Sequence, residues 1–260
     1  MSVTRRILCL PGYLQNGKVF AEKSSGIRKL LTKKLGFELD YVDPPIKINT
    51  KEELPFKLGE TEEEQASKWD AIVEQDLNRC WWVHKDPGTY EGFDEALNYV
   101  IEQIKTKGPY DGIIGFSQGA AMAAIVTNKV KELVPNHEHF KIGVFFSGFV
   151  FTEPVNSEDI MVNLNHSIEN VKEYQEKVKV VPEFVDRFTL PKCETRILNI
   201  YGSSDNTVPG IRSEYLSTFY PQEQLQEFKH EGGHFLPNKK NFLNPIIEVF
   251  KEVFDIKSNL

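Results

Sequence analysis

Apolar residues recur along this chain with two periods. Arg5-Arg-Ile-Leu-Cys-Leu10 is a short apolar run closed by Pro11-Gly12, as a buried strand requires. From about Val19 to Lys34 the positions Phe20, Ile27, Leu30 and Leu31, extended by Leu35, form a stripe at helical spacing. Phe37 to Val42 alternates and stops at Pro44-Pro45, which predicts a second strand. Strand, helix and strand in that order predict a parallel pair with a right-handed crossover. The pattern then repeats. Phe93 to Lys105 predicts a helix, Ile113-Ile114 a buried strand, and Ala120 to about Val134 a helix rich in small residues. Phe140 to Ser147 and Thr195 to Gly202 predict strands, and Val208 to Phe219 a helix. Leu225 to Lys229 predicts a short sixth strand, and Pro245 to Phe254 a final helix.

Two stretches break the rhythm, at about residues 43–92 and 151–192. A structureless loop of either length would be unusual in a compact domain. Both are therefore expected to be insertions carrying short helices over the C-terminal edge of the sheet. The acidic run Glu60 to Glu64 predicts a solvated face. Trp81-Trp82 fits core packing and one wall of an apolar substrate cleft equally well. Without repeats, low-complexity linkers or a second apolar nucleus, residues 1–260 predict one α/β domain. Its expected core is a mostly parallel sheet of about six strands flanked by helices, with the two insertions near the site.

The chemistry centres on Tyr110-Asp-Gly-Ile-Ile-Gly-Phe-Ser-Gln-Gly119. Gly115-Phe116-Ser117-Gln118-Gly119 matches G-x-S-x-G between a predicted strand and a predicted helix, the nucleophile elbow of α/β-hydrolases. A Cβ at either glycine would press on the neighbouring strand or helix. The helix N-terminus favours negative charge beside Ser117. A serine hydroxyl is a poor nucleophile without an adjacent base. His234, in Glu231-Gly232-Gly233-His234-Phe235-Leu236-Pro237, is the candidate base. Asp205, where the chain turns from the fifth strand towards a helix, is the candidate orienting carboxylate; the competing reading of a lone aspartate there is that it simply caps the helix starting near Val208, and the surrounding motifs favour the triad role. Ser, Asp, His is the chain order of the α/β-hydrolase triad. The expected oxyanion hole pairs the backbone N–H of Gln118 with that of Tyr13, or alternatively Leu14, in the loop after the first strand. Gly12 lets that loop pass close to Ser117, with Gln15 and Asn16 stabilising it or lining the pocket. Phe145, Phe146, Phe149 and Phe151 fit an apolar acyl pocket or plain core.

Two patterns compete. His230-Glu231-Gly232-Gly233-His234 matches the zinc motif H-E-x-x-H, which works on a helix where both histidines share a face. Adjacent glycines, a preceding predicted strand and Pro237 argue against that helix. His137-x-His139 is expected to sit in a solvated loop. Composition narrows the class further. A net charge of −7 and a pI near 5.5 argue against nucleic-acid partners. No apolar run approaches the roughly 20 residues that span a bilayer, and the apolar segment Ile7 to Leu10 is too short for a signal peptide. Cys9, Cys80 and Cys193 read as reduced thiols, which predicts a cytoplasmic protein.

In this order the motifs resemble the fungal family of serine hydrolases, small cytosolic α/β-hydrolases. The resemblance covers nearly the whole chain. It is carried, against the family's first-described yeast member, by the stretch from Gly12 to Arg28, by Gly108 to Ala121 and by Gly232 to Lys240. It implies that Ser117, Asp205 and His234 form a triad in an esterase-like hydrolase. The family usually has His-Gly where this chain has Pro11-Gly12. Because the loop supplies a backbone N–H, that change is expected to spare activity. The expected reaction is hydrolysis of a small-molecule carboxylic ester, with an apolar acyl group, through an acyl-enzyme, and it requires no metal or cofactor. The rivals are a thioesterase with the same triad, a non-catalytic ligand-binding protein on a hydrolase fold, and a zinc hydrolase.

Overall fold

The structure is a computed structural model and describes residues 4–83 and 89–257; His84 to Gly88, within the first predicted insertion, lie outside the described residues. Six strands form the main sheet: β1 (Arg6–Leu10), β2 (Glu38–Tyr41), β3 (Gly112–Phe116), β4 (Ile142–Phe146), β5 (Arg196–Gly202) and β6 (Leu225–His230). Their order is β6-β5-β4-β3-β1-β2, and every neighbouring pair is parallel. Side chains alternate between two buried faces. Leu8, Leu10, Ile113, Phe145 and Ile197 enter one core; Ile7, Cys9, Ile114, Val144 and Leu198 enter the other. A parallel sheet covered on both sides produces this, and it explains why the strands read as continuous apolar runs.

The principal helices are α1 (Gly17–Lys23), α2 (Glu62–Glu74), α3 (Phe93–Lys107), α4 (Gln118–Leu133), α5 (Gly210–Ser217) and α6 (Lys240–Val253). Val100, Ile101 and the small residues of α4 pack on the first face, while Phe20, Ile27, Ile246 and Phe250 pack on the second. The helix expected over residues 19–34 is broken. Asn16 caps α1 by accepting the Val19 N–H at 2.9 Å, and α1 closes at Ser24, whose hydroxyl meets that of Tyr41 at 2.8 Å. The chain resumes as Ser25–Lys29 and a widened turn over Leu30–Lys34. Helix α6 starts earlier than expected, with Pro245 inside it. Buried Leu243, and Phe242 edge-on to Phe228, hold the turn before the proline, whose nitrogen has no hydrogen to donate.

The first insertion carries α2, capped by Thr61, and a two-residue antiparallel pairing of Ile46–Lys47 with Arg79–Cys80. Its acidic first turn is exposed, as expected, and suits the positive end of the helix. The second insertion opens on Thr152–Pro154 paired with Val178–Val180, between which run helices Met161–Ser167 and Val171–Lys177. Trp81 and Trp82 are fully buried, and Trp82 packs on Phe93, Phe149 and Phe151. They are core, not a cleft wall. His137 also departs from expectation: it is buried and its Nε2 accepts the Tyr110 N–H at 3.0 Å. The chain leaves β1 towards β2 on one side and returns to β3 on the other. The crevice at that reversal is where ligands of open α/β sheets bind.

Candidate active site

Ser117 stands between β3 and α4 with φ 55° and ψ −120°, a backbone conformation L-residues rarely adopt. Its N–H donates to Phe146 O at 2.9 Å, and its carbonyl accepts from Ala120 and Ala121. The two flanking glycines permit the turn. A Cβ on Gly115 would lie 2.2 Å from Gly119 O, and one on Gly119 would lie 2.2 Å from Leu10 O and 2.3 Å from Pro11 O. As the first residue of α4, Gln118 has a backbone N–H with no intrahelical acceptor.

The loop after β1 runs beside the elbow; a Cβ on Gly12 would lie 3.3 Å from Ser117 Cβ. Gly12 N–H donates to Gln15 Oε1 at 3.1 Å, so Gln15 braces the loop. Leu14, at φ 54°, donates its N–H to Arg79 O at 2.9 Å. Tyr13 N–H has no acceptor among the described residues. Pro11 contributes a carbonyl, which accepts Trp81 Nε1–H at 2.7 Å.

Asp205 and His234 come together. Asp205 Oδ2 accepts from His234 Nδ1 at 2.7 Å and from the Ser147 hydroxyl at 3.0 Å. Its other oxygen accepts the N–H groups of Thr207 at 2.9 Å and Val208 at 2.8 Å. Asp205 does not cap the helix, which starts at Gly210 and receives no side-chain bond at its N-cap Pro209; one oxygen meets the imidazole and the other braces the loop before the helix. With Nδ1–H bound to the carboxylate, His234 keeps its Nε2 lone pair free. The imidazole lies against the ring of Phe116, the residue before Ser117, with centroids 4.7 Å apart. Among the described residues no hydrogen bond joins Ser117 Oγ to His234. Such bonds are commonly long in resting sites and tighten around substrate.

Burial alone would raise the Asp205 carboxyl, but the His234 hydrogen bond, the Val208 N–H and the Ser147 hydroxyl outweigh it and hold the group below its ordinary value of 3.8. A carboxylate favoured as the anion in the fold contributes stability above its unfolded pKa and loses it as pH falls through the folded one. The stability difference between the native chain and Asp205→Asn is therefore expected to be full at neutral pH and to shrink below about pH 4. Urea unfolding at graded pH measures it, and a difference that grows on acidification would contradict the assignment.

The zinc pattern lacks its helix. His230 ends β6, where burial lowers its pKa, and its Nδ1 accepts the Gly232 N–H at 3.1 Å. His234 lies in the following loop, bonded to Asp205. The phenylalanines after β3 divide between structures. Phe145 and Phe146 are strand core on opposite faces, and Phe149 and Phe151 are buried around Trp82. A polar cavity of about 400 Å³ opens beside Asp205, between Ser203, Glu214, Lys229 and His166, but neither Ser117 nor His234 lines it. The sequence does not single out Ser147 or the Gln118 side chain, and it leaves Trp81 as core or cleft wall without its bond to the Pro11 carbonyl. A serine directly after an apolar strand, at the edge where ligands collect, was the one available signal for Ser147.

The model of the family described as serine hydrolase (FSH1) matches residues 1–246. The chain is 28% identical to Family of serine hydrolases 3 of Saccharomyces cerevisiae, covering 95% of this chain and 83% of that protein. It is 27% identical to Esterase CG5412 of Drosophila melanogaster, covering 92% of this chain and 72% of the relative. It is also 30% identical to a Schizosaccharomyces pombe protein named dihydrofolate reductase, over 92% of this chain but only 45% of that protein's length. Among solved structures, that of esterase PE8 superposes with a TM-score of 0.58 at 14% identity, covering 96% of this chain and 93% of the other.

Proposed function

The chain belongs to the serine hydrolase (FSH1) family and has the α/β-hydrolase fold, and from that premise we propose that it hydrolyses small-molecule carboxylic esters through an acyl-enzyme formed on Ser117. The observation that carries this reading is the Asp205–His234 pair, whose imidazole packs on Phe116, the residue preceding a strained serine at a helix N-terminus. His234 Nε2 takes the proton of Ser117 Oγ as the oxygen bonds to the ester carbon. The carbonyl oxygen becomes an oxyanion, held by the backbone N–H groups of Gln118 and Tyr13. Tyr13 is favoured over Leu14 because the Leu14 amide is already bonded to Arg79. As the tetrahedral adduct collapses, the alcohol leaves with the proton from His234. Water, deprotonated by the same imidazole, then releases the acid and restores Ser117. Asp205 fixes the tautomer and stabilises the imidazolium without taking its proton.

The same steps cleave a thioester, with a thiol as leaving group. Esterase-named relatives favour the ester. Among the described residues no helix is long and apolar enough to cross a membrane, and Cys9, Cys80 and Cys193 are all free. These features fit action in the cytoplasm. A fluorophosphonate probe tests the reading: the native chain should label, Ser117→Ala should not, His234→Ala should label far more slowly, and a chelator should change nothing. Labelling of Ser117→Ala at the native rate would refute it.

A further inference from the structure

The segment Arg79–Trp82 of the first insertion is tied to both loops that carry the two free amides. Arg79 O accepts the Leu14 N–H at 2.9 Å. Gln118 Oε1 accepts the Trp81 N–H at 3.0 Å, and Gln118 Nε2 donates to Trp82 O at 3.0 Å. Trp81 Nε1–H donates to Pro11 O at 2.7 Å. The segment is itself anchored, since the Arg79 guanidinium holds Asp76 Oδ2 at 2.7 Å and Pro44 O at 3.0 Å. Gln118 and both tryptophans are buried.

Two features of this arrangement need explaining. A backbone N–H at position 118 needs no particular side chain, yet the side chain there is a buried primary amide with both ends bonded. Burying such a group is costly unless it is satisfied, so its bonds make a specific joint. The β1–β3 ladder pairs Leu10 with Gly115 and goes no further. Beyond it, nothing in the sheet fixes the distance between the Tyr13 and Gln118 amides.

Resting on the Ser117 reading above, we propose that Arg79–Trp82 is a splint that sets the spacing of the oxyanion hole. Gln118 and Trp81 are then positioning residues of the reaction. Gln118 serves twice, its backbone N–H facing the substrate and its side chain gripping the splint. Hole donors act only when about 2.7–3.1 Å from the developing oxyanion, and a misplacement of about 1 Å costs on the order of 100-fold.

Two full-length variants test this. Trp81→Phe removes the Nε1–H and keeps most of the ring. Gln118→Glu keeps the length, sets an acceptor against the Trp82 carbonyl and leaves the backbone N–H in place. Each is expected to lower kcat for an activated ester about 10- to 100-fold, with KM within about twofold. Affinity for a trifluoromethyl ketone, which forms the oxyanion adduct on Ser117, should fall by the same factor as kcat/KM. Thermal melting reports folding, and if Gln118→Glu does not fold, Trp81→Phe decides. Variants with a lowered Tm but native kcat and native ketone affinity would overturn the splint and leave the hydrolase reading standing. Native-rate hydrolysis by Ser117→Ala would overturn the hydrolase reading itself, and the splint with it.

Discussion

Replacing Ser117 by alanine is expected to lower kcat for ester hydrolysis about 10⁵- to 10⁶-fold, and replacing His234 in the same chain should add almost nothing. In the proposed mechanism the two side chains perform one act. Without the hydroxyl no acyl bond forms, and the imidazole has no proton to accept. Without the imidazole the hydroxyl stays protonated and weak. What survives in either variant is stabilisation of the oxyanion during direct attack by water, worth about 10³–10⁴ over the uncatalysed rate. The measurement is kcat for the two single variants and the double variant on one activated ester. Multiplicative losses would show that the residues act in separate steps and would refute the shared mechanism. Stability should change little, because the Ser117 side chain donates no hydrogen bond among the described residues.

Gly119→Ala is expected to cost about 3–5 kcal/mol of stability. The new methyl would sit 2.2 Å from Leu10 O and 2.3 Å from Pro11 O. Neither carbonyl can retreat. Leu10 is paired in the sheet, and Pro11 O holds the Trp81 indole. Helix α4 must therefore lift from β1 or the loop must open, and either breaks the crevice. Urea unfolding measures the loss; a cost under about 1 kcal/mol would mean that the elbow yields far more readily than its contacts suggest. By contrast, Gly36, at φ 71°, has open space around its missing Cβ, so alanine there meets backbone strain alone.

The alternation of strands and helices was legible because local periodicity encodes it. Ile7 to Leu10 and Ile142 to Phe146 are apolar at every position but one glycine, and only a sheet covered on both faces uses such runs. The pairing of Asp205 with His234 and the strained turn at Ser117 were legible because each residue follows a strand end in a stretch of characteristic composition. What stayed hidden depends on partners distant in sequence. The break at Ser24 involves the Tyr41 hydroxyl. The burial of His137 follows from the Tyr110 amide, which needs its ring nitrogen. Whether Tyr13 or Leu14 offers the free amide is decided by the Arg79 carbonyl, delivered by an insertion with no periodic signal of its own. The tryptophan pair could be core or cleft until Phe93, Phe149 and Phe151 closed around it.

The divided loyalty of the Asp205 carboxylate bears on how this chain can evolve. One oxygen serves the imidazole and the other ties down the loop at Thr207 and Val208. Under the proposed mechanism, selection for hydrolysis and selection for a foldable chain act on the same side chain, whereas the Ser117 hydroxyl answers to the first alone. A descendant released from the need to hydrolyse would drift at Ser117 and His234 while purifying selection kept the aspartate. In such lineages a retained Asp205 is a relic of folding, not a sign of surviving activity.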